Sequence, residues 1–133
     1  QEVKNWQEAI IFGGKVLESR GYISSSYIDD MLEMSNKYSE YIVISEGVAI
    51  PHSKNKRNVF KTGMMLLTLK NPVTFPAGQS VDTFFIFSIY KKQEHLNAIS
   101  ELIDLILKYD IRSYLKKESR KKNVIKFISN VES

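Results

Sequence analysis

Two histidines and the residues beside them carry most of the chemistry open to this chain. His52 ends the apolar run Val48-Ala49-Ile50-Pro51. Pro51 fixes its own φ and pushes Ile50 toward extended backbone, so His52 is expected at a strand exit in a nearly predetermined orientation. Imidazole in that place suits proton shuttling, metal ligation or nucleophilic attack near neutral pH. The plainer alternative is a strand-end histidine that only hydrogen-bonds its neighbours. His95 follows the apolar run Thr83 to Tyr90 and the polar link Lys91-Lys92-Gln93-Glu94, so it too is expected at a strand exit. In covered α/β sheets ligands bind in the crevice beyond the strand ends, which brings convergence of His52 and His95 into view.

The residue types narrow the chemistry. Zinc asks for three or four protein ligands. The chain has no cysteine and no His-x-x-x-His pair, and only Asp82 or Glu94 offer themselves as extra ligands, so no metal is expected. Ser53 beside His52 lacks the Gly-x-Ser-x-Gly turn of a hydrolase nucleophile. Asp29-Asp30 falls in a helical stretch and reads as solvated or near-cap charge rather than a catalytic pair. No Gly-x-x-x-x-Gly-Lys loop is present to cradle a nucleotide, and no cofactor is implied.

A histidine that takes a phosphoryl group uses most of these features. One ring nitrogen must be unprotonated to attack, while the other is held as a donor that fixes the tautomer. His52 is the candidate nucleophile. The negative charge of the phosphoryl group then needs donors, and the candidates are the imidazole of His95, the hydroxyl and N–H of Ser53, and the ammonium of Lys54.

The elements that must position these residues follow from periodicity. Trp6, Ala9, Ile10, Gly13, Val16 and Leu17 mark one face of a helix ending near Gly21. Ser24, Ser25 or Ser26 caps a second helix, whose Tyr27, Ile28, Met31, Leu32 and Tyr38 read as a core stripe. Tyr41 to Ile44 and Val48 to Ile50 predict two short strands, or one bent strand, about the turn Ser45-Glu46-Gly47. Thr62 to Leu69 and Thr83 to Tyr90 predict strands covered on both faces, with Pro72, Pro76 and Gly78 breaking the chain between them. Glu94 to Leu107 predicts a third long helix, and Val124, Phe127, Ile128 and Val131 a terminal one, with a shorter helix and charged connector over 110–122. The pattern implies a three-layer α/β/α sandwich with a central mixed sheet flanked by helices.

At 133 residues, with 43% hydrophobic and 26% charged, the chain suits one domain, residues 1–133. It opens on Gln1 rather than Met, as a piece of a longer protein would. The absence of cysteine excludes disulfides and thiolate chemistry within the chain and fits a cytoplasmic location. No apolar run approaches the ~20 residues needed to span a bilayer, so no membrane insertion is expected. The net charge of +4 gathers at Lys54, Lys56, Arg57 and Lys61 and again over Lys116 to Lys122. These clusters lack the aromatics and base-reading side chains of a nucleic-acid interface, so nucleic-acid binding by this domain is not expected.

Trp6-Gln7-Glu8-Ala9-Ile10, Gly21-Tyr22-Ile23, Tyr41-Ile42-Val43-Ile44, Gly47-Val48-Ala49-Ile50-Pro51-His52, Leu69-Lys70-Asn71-Pro72-Val73-Thr74-Phe75 and His95-Leu96 agree in order and spacing with a known pattern. On these residues the chain resembles the enzyme IIA domain of the mannitol/fructose class in the bacterial sugar phosphotransferase system. The Tyr-Ile-Val-Ile approach looks most like the ascorbate-type branch and the enzyme IIA modules of certain transcription regulators. The resemblance implies that His52 is phosphorylated and that His95 orients or neutralises the phosphoryl group. It also implies HPr as donor and an enzyme IIB domain as acceptor. Asn36 and Lys37 stand near where the mannitol branch carries an arginine, and Phe84 to Lys92 is bulkier than the segment usual before the second histidine.

Three functions stay open on the sequence. One is a phosphocarrier in carbohydrate uptake, with ascorbate-like substrates in view. Another is a phosphorylation-sensing module covalently attached to a transcription regulator or antiterminator of sugar-utilisation genes. The third is an α/β interaction module with incidental histidines.

Overall fold

The computed structural model describes residues 3–53, 56–90, 100, 101, 103–106, 108 and 124–128, the last group by backbone alone. Helix α1 (Trp6–Ser19) begins where Asn5 accepts a hydrogen bond from the Glu8 N–H at 2.9 Å, which satisfies one of the donors left open at a helix start. It ends before Gly21, whose φ of 82° carries the chain out of the helix. Its buried face is the expected one, Trp6, Ala9, Ile10, Gly13 and Leu17. Gly13 sits where any Cβ would collide with Ile86 Cδ1, so this glycine lets the helix lie close on the sheet.

Helix α2 (Ser25–Lys37) has Ser24 at its N-cap position and buries Tyr27, Ile28 and Met31. A short turn of helix, α3 (Ser39–Ile42), then leads into β1 (Val43–Ser45) and β2 (Gly47–Ala49). The strand expected from Tyr41 therefore begins two residues later. The N–H groups of Tyr41 and Ile42 both donate to the Tyr38 carbonyl, closing a helical turn before the chain extends.

Strand β3 (Gly63–Thr74) runs on through Pro72, which was expected to break it. Its pairing with β4 (Ser80–Ser88) is irregular between Thr68 and Val73, and Lys70 to Pro72 are exposed. A proline that has no ladder bond to donate is tolerated there. The reversal falls instead at Phe75 to Gln79, where the Phe75 N–H donates to the Gln79 carbonyl and Gly78 takes a φ of 93°.

Residues 124–128 correct a second expectation. They form strand β5 (Val124–Ile128), antiparallel to β3 with Met65 opposite Phe127, and not a terminal helix. Val124, Ile125 and Ile128 are β-branched, and the open edge of β3 offers them a partner. The expected connector over 110–122 lies outside the described residues.

The sheet order is β1-β2-β4-β3-β5, with β2 parallel to β4 and the remaining neighbours antiparallel. One face carries Met65, Leu67, Phe84 and Ile86 under α1 and α2. The other carries Val48, Ile50, Met64, Leu66, Phe85 and Phe87 against Ile103 and Ile106. The described residues from 100 to 108 are helical, within the span expected for the third long helix. Both faces are covered, and the expected α/β/α layering with a mixed sheet is the observed fold.

Candidate functional site

Because β2 and β4 are parallel, they leave the sheet at the same end. There the chain from Ile50 to Ser53 is fixed by backbone bonds on both sides. The Ile50 N–H donates to the Ile42 carbonyl at 2.8 Å, and the Phe87 N–H donates to the Pro51 carbonyl at 3.0 Å. His52 emerges half-buried, its ring edge-on to Phe87 with centroids 6.3 Å apart.

The ring is also fixed by its own hydrogen bond. Nδ1 lies 2.7 Å from the Ile50 carbonyl oxygen. A carbonyl only accepts, so Nδ1 carries the proton, and in the neutral ring the lone pair is left on Nε2. This is the division of roles that a nucleophilic imidazole needs, and a backbone carbonyl holds the Nδ1 side of it.

His52 and Ser53 line a groove of about 830 Å³. Its wall is one face of α2, Asp30, Glu33, Met34 and Lys37, at helical spacing of three and four. Tyr38, expected in the core stripe of α2 but lying just past its end, and Tyr41 form its lip, 47% and 74% exposed, with ring centroids 6.3 Å apart. Exposed aromatic side chains are among those enriched at protein–protein interfaces. Asp30, read as solvated charge, is half-buried and accepts a hydrogen bond from Asn58 Nδ2 at 2.8 Å.

Sequence reasoning missed Tyr27. Its ring is core, as expected, but its hydroxyl reaches the site. Oη donates to the Phe87 carbonyl at 2.8 Å and accepts from the Ser53 N–H at 3.0 Å. Burial pushes the phenol far above the ordinary tyrosine range, against a smaller lowering by the Ser53 hydrogen bond. The rule that a buried hydroxyl must find partners was the available signal. The Ser53 N–H, one of the two Ser53 donors named from sequence, is spent on Tyr27.

The structure places His52 and Ser53 together. Lys54 and His95 lie outside the described residues, as does Glu94. Asp82, named as an extra metal ligand, is buried near the opposite end of β4, roughly 17 Å from Phe87 at the ~3.4 Å rise of a strand. It accepts from the Thr83 hydroxyl at 3.0 Å and cannot join His52 around one ion. Among the described residues no group of three or more His, Cys, Asp or Glu could hold a metal, and no helix is long and apolar enough to cross a membrane.

A family model described as the phosphoenolpyruvate-dependent sugar phosphotransferase system, EIIA 2, matches residues 1–131. A mannitol-specific cryptic phosphotransferase enzyme IIA component of Escherichia coli K12 is 32% identical over 127 residues, 95% of this chain and 86% of that protein. An ascorbate-specific enzyme IIA component of the same organism is 35% identical over 74 residues, 56% of this chain and 48% of that protein. The fold matches enzyme IIA mannitol of Escherichia coli in its complex with phosphorylated enzyme IIB mannitol, with a TM-score of 0.67 and 23% identity over 80% of this chain and 74% of that one.

Proposed function

The chain belongs to the phosphoenolpyruvate-dependent sugar phosphotransferase system EIIA 2 family, and from that premise we propose that it is a phosphocarrier whose acceptor atom is Nε2 of His52. The observation that carries the proposal is the 2.7 Å contact of Nδ1 with the Ile50 carbonyl, which commits the other nitrogen to attack. In the proposed step the Nε2 lone pair attacks the phosphorus of a phosphohistidine on HPr. The donor P–N bond breaks as the new one forms, and its electron pair returns to the donor ring. Nδ1 keeps its proton throughout, so no external base is required. Such transfers need positioning and charge stabilisation more than covalent help.

The Ser53 hydroxyl, Lys54 and His95 are the groups we assign to the transferred phosphoryl group, with His95 orienting or neutralising it. Lys37 brings a further cation to the groove wall. Asp30 and Glu33 bring negative charge to the same groove, which suits a carrier that must release its phosphoryl group rather than store it. The acceptor is an enzyme IIB domain, docked over Tyr38 and Tyr41 as a protein surface would require. The E. coli mannitol enzyme IIA of similar fold is known in complex with such a partner in phosphorylated form. The relatives above are named as mannitol-specific and ascorbate-specific enzyme IIA components, which favours a role in cytoplasmic sugar uptake of the mannitol or ascorbate kind over the regulator module.

The test is incubation with phosphoenolpyruvate, enzyme I and HPr, followed by intact mass. An acid-labile adduct of one phosphoryl group is expected on the wild type, none on His52→Ala, and slower labelling on His95→Ala. Equal labelling of wild type and His52→Ala rejects the assignment of the acceptor.

A further inference from the structure

The Tyr27 hydroxyl deepens the phosphocarrier reading, and the role assigned to it rests on that reading. Pro51 and Ser53 flank His52, and both are tied to Phe87. Pro51 is tied directly, through its carbonyl and the Phe87 N–H at 3.0 Å. Ser53 is tied through Tyr27, whose Oη takes the Ser53 N–H at 3.0 Å and gives its own proton to the Phe87 carbonyl at 2.8 Å. The Ser53 carbonyl, 3.4 Å from the same oxygen, is a longer second acceptor. Phe87 in turn presents its ring to the His52 imidazole. Tyr27 also belongs to α2, and Asp30, Met34 and Lys37 of the groove wall lie three, seven and ten residues further along that helix.

We propose that Tyr27 is a positioning residue for phosphoryl transfer: its hydroxyl clamps the residue after His52 to the end of β4 and holds the α2 groove face in register with the imidazole. A phenol suits the task because one oxygen both accepts and donates. Complete burial keeps it protonated, so the clamp does not loosen at any physiological pH. In-line attack tolerates little misplacement, and shifts of about 1 Å cost on the order of a hundredfold in rate.

Tyr27→Phe keeps the ring and removes the clamp. The phosphorylation rate at saturating phospho-HPr is expected to fall about tenfold or more, with the KM for phospho-HPr held within about twofold, since Tyr27 is buried away from the docking lip. Ile10→Val, a core truncation under α1, supplies a destabilised control that leaves the hydroxyl in place, and it is expected to label at the wild-type rate. A wild-type rate in Tyr27→Phe, or equal slowing in Ile10→Val, overturns the proposal. Ring nitrogen NMR of His52 reads the same claim without any donor: Tyr27→Phe is expected to move the Nδ1 and Nε2 resonances and the imidazole pKa, and unchanged values overturn it. If the wild type takes no phosphoryl group, the phosphocarrier reading fails while the NMR arm still decides the positioning role. If Tyr27→Phe does not fold, 3-fluorotyrosine placed at position 27 keeps the phenol. It is then expected to shift the Ser53 amide resonance and change the transfer rate severalfold, and the absence of both overturns the proposal.

Discussion

Alkaline pH offers a direct reading of the Tyr27 hydroxyl through stability. At neutral pH, Tyr27→Phe leaves the Phe87 carbonyl and the Ser53 N–H without the partner they have in the wild type. Stranding buried polar groups in this way costs about 1–3 kcal/mol, taken as ~2. The penalty is constant while the phenol is protonated in both folded and unfolded chains. Above about pH 10 the unfolded wild-type chain releases its Tyr27 proton. The folded chain retains it, because burial pushes the phenol far above that value. The unfolded state then binds fewer protons than the folded one, so wild-type stability falls with rising pH by about 1.4 kcal/mol per unit on account of this group. The Tyr27→Phe chain has no such proton, so the advantage of the wild type shrinks and reaches zero about 1.5 units above pH 10, near ~11.5. Urea unfolding followed by far-UV circular dichroism from pH 7 to pH 12, in both proteins, measures the difference and cancels the other tyrosines and lysines. A difference that stays constant across this range would refute the argument that the buried phenol keeps its proton.

Three other perturbations follow from the packing and the pairing. Gly13→Ala drives a methyl into Ile86 Cδ1 on the face of α1 that packs on the sheet. It should cost about 1–3 kcal/mol in chemical denaturation despite alanine's better helix propensity. Tyr41→Ala, at a side chain 74% exposed on the groove lip, should change stability by less than about 0.5 kcal/mol. In transfer assays it should raise the KM for the protein partner and leave the saturated rate unchanged. Phe127→Pro removes a ladder donor from β5, so the amides of β3 facing it, around Met65, should lose hydrogen-exchange protection. Unchanged protection there would contradict the β3–β5 pairing.

The pairing also shows where sequence reasoning reached and where it stopped. Helices α1 and α2 were legible because fourteen and thirteen residues give the helical period several turns to declare itself. Strand β5 was not, because Val124, Phe127 and Ile128 satisfy helical spacing over a segment of only five residues. What makes it a strand is the open edge of β3, far earlier in the chain, and no local window contains that edge. Tyr41 and Ile42 failed for the converse reason. Their β-rich types point to a strand, yet the Tyr38 carbonyl takes both N–H groups and extends the helical geometry first. Pro72 was read as a breaker by its missing donor, and the irregular register beside it removes the need for one.

The candidate site divides along the same line. The orientation of His52 was legible from Pro51 because the constraint is one residue away, and so was the need for one ring nitrogen to be held as a donor. The groove wall was not, since Asp30 and Lys37 have no feature in sequence that separates them from ordinary helix-surface charge. Tyr27 was half legible: periodicity assigned its ring to the core, and that assignment itself required its hydroxyl to meet polar partners inside. The partners it meets are backbone groups near strand ends, the Phe87 carbonyl of β4 and the Ser53 N–H on the chain leaving β2. A tyrosine in the stripe of α2, rather than a phenylalanine, therefore already implied a polar partner inside the core, and the structure puts that partner at the strand exit that carries His52.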